Sequence, residues 1–337
     1  MKGILLTEYR KIEVKEMEEP AIGPHDVLFA VKDCGICPND YRIYAGLSTW
    51  KKPPTTLGHE PAGVVVKVGS DVKGFKQGDM VAGDTSTRCG YCRYCVAGRE
   101  NLCENRRSAG GSLAQYASAN EIWINKFYHA SFEEEAFTEP LSCVINGIKN
   151  SRVKSADGVV IIGAGQIGLM HMMMANYIGA TTTMIDIKED RLALAKKLGA
   201  DHVINSASVD PLAVIKEANG GQKADKVIVA IGNTQAQATA FRVVAPMGSV
   251  NIFASTNPPS NVAFDPNLVH HSEVSIIGSY DKTRAELREA TRLIDEGKID
   301  VKPLITHRFG LGDTDKALLA LEKGEGVKIM IEPNRGA

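Results

Sequence analysis

Aromatic residues are scarce in this chain of 337 residues: they make up 6% of it, and tryptophan occurs twice. Net charge is nearly absent too, at -1, because 39 lysines and arginines face 40 aspartates and glutamates. A chain so close to neutral lacks the positive field by which proteins bind nucleic acids and anionic membranes. A run of 18 apolar residues is also missing, so we expect no nucleic-acid partner and no membrane span.

The sequence also lacks the marks of a secreted protein. Its N-terminus, MKGILLTEYRKIEVKEMEEP, becomes charged after six residues and has no apolar signal core. The seven cysteines are odd in number and four of them are clustered, which is not typical of a disulfide framework. Clustered cysteines in a reducing compartment more often bind metal, so we expect a cytoplasmic protein.

The chain is longer than one hydrophobic core normally supports, which predicts two domains. About the first 125 residues are rich in short strand-like runs broken by glycine, proline and aspartate. From about Asp157, continuous apolar runs alternate with helical segments, a pattern that predicts an α/β fold with a doubly wound parallel sheet. The six runs are GVVIIG, TTTMID, HVIN, KVIVAIG, SVNIFAS and EVSIIG.

The first of these runs ends in a G-x-G-x-x-G motif formed by Gly163, Gly165 and Gly168. The motif follows a predicted strand, opens a predicted helix, and is followed 18 residues after its last glycine by Asp186. In this context it indicates a Rossmann dinucleotide site. The glycines permit the tight turn, the approach of the pyrophosphate and the packing of the helix on the sheet.

Two other features of this region bear on the cofactor. The backbone N–H groups of Gln166 and Ile167, at the helix N-terminus, are expected to hold the pyrophosphate. Asp186 is expected to accept hydrogen bonds from the ribose hydroxyls and to repel a 2′-phosphate, which favours NAD. Lys188 and Arg191 leave NADP open, because a nearby cation accommodates that phosphate.

A four-cysteine lobe spans residues 88–104. Its spacing, C-x2-C-x2-C-x7-C, suits a tetrahedral zinc ion. Four protein ligands leave no open position, so this zinc is predicted to be structural; an iron–sulfur cluster is the alternative. The ligands are Cys89, Cys92, Cys95 and Cys103.

The stretch CGICPND contains a second cysteine pair, Cys34 and Cys37. Such a pair is compatible with a redox dithiol, with half of a zinc site, or with one metal ligand beside a buried thiol. Together with TLGHEPAGVVVKVG, the four-cysteine lobe, TEPLSC, GAGQIG and RLALAKKLGAD, the stretch resembles the zinc-dependent medium-chain alcohol dehydrogenases. The resemblance covers nearly the whole chain and is strongest to the polyol branch, near sorbitol and L-threonine dehydrogenases.

The resemblance implies a fold and a division of the chain. A GroES-like β-barrel catalytic domain is expected at residues 1–145 and 281–337. A Rossmann dinucleotide-binding domain is expected at 146–280. The tail is assigned to the first domain on the resemblance, since spacing alone does not show it.

The resemblance also implies a catalytic zinc. Cys37 and His59 correspond to two ligands, and Glu60 to a neighbouring or exchangeable one. Glu139 of TEPLSC is expected as the third protein ligand, with Cys143 as the alternative. Cysteine, histidine and carboxylate are ordinary zinc donors, and three protein ligands leave room for water or substrate.

Asn39 is the point at which the chain departs from the family. Family members usually have a serine or threonine there, whose hydroxyl passes the substrate proton on. A carboxamide hydrogen-bonds but does not readily exchange a proton, and Arg42 stands where a relay histidine is often found. We expect Asn39 to bind a substrate oxygen, and the proton to leave through zinc-bound water with Glu60 or through Tyr41.

The sequence thus predicts an NAD-dependent enzyme with one catalytic and one structural zinc, which transfers hydride from a secondary alcohol. The resemblance and Glu139 favour a polyol, sugar or sugar acid as substrate. An L-threonine-type amino-alcohol dehydrogenase is the alternative, followed by a zinc-free reductase of the same superfamily and a non-enzymatic binding protein. Relatives are commonly dimers or tetramers, so a homo-oligomer is expected.

Overall fold

The computed structural model describes residues 1–48, 50–108, 110–256 and 258–335. The chain forms two compact units: Met1–Ser142 together with Lys282–Ala337, and Cys143–Asp281. Both changes of unit lie within three residues of the boundaries expected from the sequence. Among the described residues, no helix is long and apolar enough to cross a membrane.

The strands are β1 Lys2–Glu8, β2 Lys11–Glu16, β3 Asp26–Gly35, β4 Thr55–Thr56, β5 Glu60–Val68, β6 Met80–Gly83, β7 Ser86–Thr87, β8 Arg107–Ser108, β9 Tyr116–Asn120, β10 Ile124–Lys126, β11 Gly158–Ile162, β12 Thr181–Asp186, β13 His202–Asn205, β14 Ala224–Val229, β15 Val244–Ile252, β16 Ser275–Gly278, β17 Ile305–Gly310 and β18 Lys328–Glu332.

The α-helices are α1 Pro38–Tyr44, α2 Arg93–Val96, α3 Phe132–Glu135, α4 Thr138–Ser151, α5 Gln166–Ile178, α6 Glu189–Lys197, α7 Pro211–Ala218, α8 Thr234–Val243, α9 Pro266–Ser272, α10 Arg284–Asp295 and α11 Thr314–Glu322.

The first unit is built around a sheet in the order β10-β6-β5-β3-β18-β17, with β9 also pairing with β3. A smaller sheet of the same unit has the strand order β2-β1-β4. Alternating apolar residues of these strands enclose one buried core, which includes Leu6, Phe29 and Leu57. The long strand β3 pairs with β5, β9 and β18, so its position is fixed on both sides up to Gly35, two residues before Cys37.

The second unit contains the predicted parallel sheet. Its strand order is β13-β12-β11-β14-β15-β16, and every pairing is parallel. This order, 3-2-1-4-5-6 within the unit, is that of a Rossmann fold, with the switch point beside β11. The six apolar runs of the sequence correspond to these six strands, so the predicted fold class is confirmed.

The run SVNIFAS corresponds to β15, which lies between β14 and the edge strand β16. Its core residue Val250 is fully buried, whereas Ile276 on β16 is 42% exposed. The edge strand of the described sheet on this side is therefore β16.

Candidate active site and dinucleotide loop

Cys37 caps the N-terminus of helix α1. Its backbone N–H donates to Oδ2 of Asp40 at 3.1 Å, and its Sγ accepts the N–H of Asn39 at 3.5 Å. Pro38 occupies the first helical turn, where a missing N–H costs nothing. The capping contacts fix the thiol at the point where β3 ends and the helix begins.

Asp40 also positions His59. It is 1% exposed, and its Oδ1 accepts the N–H of Gly58 at 3.0 Å and lies 3.4 Å from Nδ1 of His59. A carboxylate at Nδ1 fixes the tautomer that leaves Nε2 for a metal. Burial opposes a charge on His59, but Asp40 and then Cys37 outweigh it and raise the pKa of His59 well above its usual value.

Glu60 is held by a buried lysine. Lys328, which is fully buried on β18, forms an ion pair with the Glu60 carboxylate and lies 5.3 Å from the centre of the Phe137 ring. Burial raises the pKa of Glu60, against the lowering effect of Lys328. A Cβ on Gly35 would overlap both charged groups, which explains why glycine follows the first cysteine of CGIC.

The ligand atoms of Cys37, His59 and Glu60 lie within 4.8 Å of one another. Thiolate, imidazole and carboxylate are zinc donors, and a set of three is typical of a catalytic site. The residues therefore fit a zinc ion in chemistry and in spacing.

Glu139 is not part of this three-residue cluster. It begins helix α4, and its carboxylate forms an ion pair with Lys282, which is fully buried and also lies 2.8 Å from Oδ2 of Asp84. Glu139 is nevertheless near enough to Glu60 to add to the rise in its pKa. Its role as a zinc ligand stays a prediction.

The two residues suggested for proton transfer differ in their surroundings. Asn39 lies in the first turn of α1 beside Cys37 and is partly exposed. The Tyr41 hydroxyl instead donates to Oε1 of Glu322 at 2.7 Å, and it accepts a hydrogen bond from Arg10. Since Tyr41 is engaged in this surface network, it is a poor exit for a proton from Cys37 and His59.

Cys34 fits the reading of a buried thiol. It is fully buried, and its Sγ lies 3.3 Å from Oγ of Ser112. Burial raises the pKa of Cys34 to about 12, which makes the thiolate inaccessible at neutral pH. A redox dithiol with Cys37 is therefore not supported.

The four-cysteine lobe has the dimensions of a zinc site. Sγ of Cys89 lies 4.0 Å from that of Cys95 and 3.6 Å from that of Cys103, and all four ligand atoms are within 4.8 Å of one another. A tetrahedron with Zn–S bonds of about 2.3 Å has edges of about 3.8 Å. Burial opposes a charge on Cys89, but backbone N–H groups, that of Cys92 first, lower its pKa to about 6.

The dinucleotide loop runs from β11 into α5. Gly163 has a φ of +106°, and Gly165 is the N-cap, so the helix begins at Gln166 with Ile167 next. A Cβ on Gly168 would overlap the carbonyl oxygen of Gly163. Two glycines of the motif are thus required by backbone shape and by packing.

Asp186, at the end of β12, binds backbone N–H groups of the protein itself, a role that the sequence did not suggest. Its Oδ2 accepts the N–H of Ala164 at 2.7 Å, and its Oδ1 accepts those of Ile187 and Lys188 at 2.7 and 3.0 Å. A carboxylate offers about four acceptor directions, so about one is left for a ribose hydroxyl. Arg191 extends toward the loop: its Nη1 would lie 4.0 Å from a Cβ on Gly165.

Three buried charged residues near the site were missed by the sequence reasoning. Asp40 stood in the quoted motif, and its position three residues after an N-cap is a capping-box signal that could have been noticed. The lysines gave no signal, because their partners are 268 and 143 residues away in the sequence. These two are Lys328 and Lys282.

Two family models match the chain: one described as "Alcohol dehydrogenase GroES-like domain" over residues 23–127, and one described as "Zinc-binding dehydrogenase" over residues 167–296. The chain is 32% identical to a sorbitol dehydrogenase of Halalkalibacterium halodurans, with 99% of each chain covered. It is also 32% identical to an L-threonine 3-dehydrogenase of Symbiobacterium thermophilum, over 95% of this chain and 94% of that one.

Among solved structures, the chain is similar to a zinc-binding dehydrogenase of Sinorhizobium meliloti bound to NADP. The TM-score is 0.91 at 29% identity, with 98% of this chain and 99% of that chain covered. The likeness in sequence and in structure therefore extends over nearly the full length of both proteins.

Proposed function

This chain belongs to the zinc-dependent medium-chain alcohol dehydrogenases and is a zinc- and NAD(P)-dependent oxidoreductase of alcohols; from that premise we propose that it oxidises a secondary alcohol of a polyol, sugar or sugar acid, with NAD as its cofactor. The observation that carries the proposal is the cluster of Cys37, His59 and Glu60, in which Asp40 fixes the imidazole.

In this proposal Cys37 and His59 hold the catalytic zinc with Glu139 as the third protein ligand, and Glu60 is the exchangeable ligand beside them. When bound, zinc stabilises the alkoxide form of the alcohol, as it does the hydroxide form of water. Hydride acceptance belongs to the nicotinamide. The protein's own share is to orient the ligands and to neutralise Glu60 through Lys328.

Asn39 is proposed to bind an oxygen of the substrate through its carboxamide. Its position in the first turn of α1, next to Cys37, supports this. Because Tyr41 is bonded to Glu322, the proposed proton route is the Glu60 carboxylate, whose raised pKa favours proton uptake.

The variant Asn39→Ser tests the assignment, because it introduces the hydroxyl that relatives use for the relay. We expect kcat and its pH profile to change, since a second proton route becomes available, while KM for a polyol rises as the amide contact is lost. Unchanged kcat and an unchanged pH profile would place Asn39 outside the chemistry. Ser48, a partly exposed serine after helix α1, offers the control variant Ser48→Ala.

The preference for NAD is proposed from Asp186. Its buried carboxylate accepts hydrogen bonds from three backbone N–H groups and would repel a 2′-phosphate. In Asp186→Asn we expect the ratio of kcat/KM for NAD⁺ to that for NADP⁺ to fall by about tenfold or more, the size of one charge interaction at short range. A ratio that does not change would assign cofactor choice to other groups, such as Arg191.

A single experiment separates the proposed activity from its alternatives: zinc content per chain, combined with a panel of polyols, sugar acids and L-threonine assayed with both cofactors. Two zinc ions per chain and turnover of a polyol support the proposal. Preference for L-threonine favours the amino-alcohol reading. One zinc ion per chain, the structural one, indicates a reductase without a catalytic zinc. Two zinc ions with bound cofactor but no turnover indicate a binding protein.

We further propose that the protein is a cytoplasmic homo-oligomer. The reduced thiols required by the four-cysteine lobe support a reducing compartment. The partly exposed edge strand β16 offers a surface on which a second copy could pair. Light scattering of the zinc-loaded protein tests the oligomeric state, and a monomeric mass at all concentrations would contradict it.

A further inference from the structure

Three carboxylates meet on the first unit, at a place that the proposed reaction does not use. They come from β3, from helix α3 and from β18, and their ligand oxygens lie within 4.8 Å of one another. We name this group the acidic triad. Its members are Asp33, Glu133 and Glu332.

Strand pairing forces two members together. Strands β18 and β3 are antiparallel, with Met330 opposite Gly35 and Ile331 opposite Cys34. Glu332 and Asp33 are the next residues on the two strands, so their side chains leave the same face of the sheet. Like charges in such a cross-strand position destabilise the strand pair unless a positive charge lies between them.

The surrounding arginines are bonded to the other two members of the triad, and Arg308 offsets the burial of Asp33 only in part. Arg308 binds both carboxylate oxygens of Glu133, with Nη2 to Oε2 at 2.8 Å, and Arg335 lies 3.9 Å from Glu332. Asp33 is 8% exposed, and its buried Oδ1 has no hydrogen-bond partner among the residues that the structure describes. A buried carboxylate without a partner is costly, so it must be protonated or must bind a cation.

The oxygen donors suit a hard cation such as calcium. Oxygens at about 2.3–2.6 Å from Ca²⁺ lie up to about 5 Å apart when they are opposite each other, so three oxygens within 4.8 Å of one another can share one ion. An all-oxygen donor set is also unlike the sulfur and nitrogen ligands that zinc prefers.

We propose that the acidic triad is a third metal site, which binds one calcium-like divalent cation and thereby ties β3 to β18 and α3. Asp33 is its central ligand. Burial raises the pKa of this residue to about 7, and Glu133 and Glu332 add to the effect, against the lowering effect of Arg308. Because Asp33 lies four positions before Cys37 on the same segment, a cation here stabilises the strand that presents the catalytic cysteine.

The test is a calorimetric titration of the zinc-loaded protein with CaCl2, with zinc content measured before and after. We expect saturable binding of one Ca²⁺ per chain with a Kd at or below about 1 mM, the weak end of protein calcium sites. Asp33→Asn should weaken it by more than about tenfold, the smaller effect known for loss of a supporting group at a metal. Glu19→Gln, which removes an exposed carboxylate elsewhere on the same unit, should leave the affinity unchanged.

A second readout distinguishes a metal site from a protonated carboxyl pair. Without calcium, Asp33→Asn should melt at the same temperature as the natural protein or higher, because a like-charge contact is gone. With saturating calcium, only the natural protein and Glu19→Gln should gain thermal stability. If Asp33→Asn does not fold, Glu332→Gln takes its place with the same expectations. Absence of saturable binding, or binding that is equal in the triad variants and the control, would overturn the proposal.

Discussion

His171 offers a sharp test of the packing of the second unit. The side chain is fully buried on α5, its Nδ1 lies 2.9 Å from the carbonyl of Ile167, and its ring meets Phe253 edge-on at 4.5 Å. Its Nε2 is buried without a hydrogen-bond partner within the described part of the chain. Burial lowers the pKa of His171 to about 4, against the raising effect of the Ile167 carbonyl.

This pKa sets the sign of a pH effect on stability. Below about pH 6.5 the unfolded chain takes up a proton at His171 while the folded chain does not, so stability falls as the pH drops toward about 4. Between pH 8 and pH 5 the loss is about 2 kcal/mol, or roughly 30-fold in the unfolding equilibrium. Above pH 7 the residue contributes no pH dependence.

The assay is hydrogen exchange of the peptide that contains β11, measured for the natural protein and for His171→Asn at pH 5 and pH 8. Asparagine can still donate to the Ile167 carbonyl but cannot take up a proton. We expect the variant to be less protected at pH 8, because it leaves a cavity. At pH 5 the ratio of natural to variant protection should fall by roughly 30-fold, since other titrating groups cancel in the ratio.

The reasoning is refuted if that protection ratio changes by less than about twofold between the two pH values, the usual error of such differences. His171 would then titrate in the folded protein as it does in the unfolded chain. Water would in that case have to reach Nε2, since a cation at this depth requires a polar partner.

Two further predictions concern the catalytic unit. Asp40→Asn retains the shape of the side chain but removes the charge that orients His59. We expect the affinity of the Cys37 site for zinc to fall by about 10–100-fold in a chelator competition. An unchanged affinity would show that the capping contacts alone hold the ligands. Lys328→Met leaves Glu60 buried without its cation, which should lower the free energy of unfolding, measured in urea, by about 3–5 kcal/mol. Lys328→Arg should retain most of that stability. Equal losses in both variants would attribute the effect to packing against Phe137.

Local signals in the sequence predicted the Rossmann unit well. Each of the six strands contains part of a predicted apolar run, and the loop glycines and Asp186 stand at fixed offsets from the first one. Helix α5 follows the glycine motif as predicted, and Met172 and Met174 are buried on it. Such features depend on a few neighbouring residues, so the sequence alone can specify them.

Long-range contacts were not predictable in the same way. Nothing near Glu60 indicates that a lysine on the last strand will neutralise it, and nothing near Asp33 indicates Glu332. The order of the strands within the sheet is not predictable from these runs either, because an apolar run shows that a strand is buried but not how many neighbours it has. These contacts follow from the pairing of β18 with β3, which the order of the chain does not reveal.

That pairing governs the order in which a nascent chain can fold. A ribosome releases β3, Cys37 and His59 long before β18. The first unit must therefore wait, with Glu60 uncompensated and the Cys34–Gly35 end of β3 unpaired by β18, until nearly the whole polypeptide has been made. The Rossmann unit is complete by Asp281 and can fold during that interval. A premature stop before Lys328 would therefore yield a folded second unit attached to an aggregation-prone first one, although every residue assigned to the Cys37 cluster would already be present.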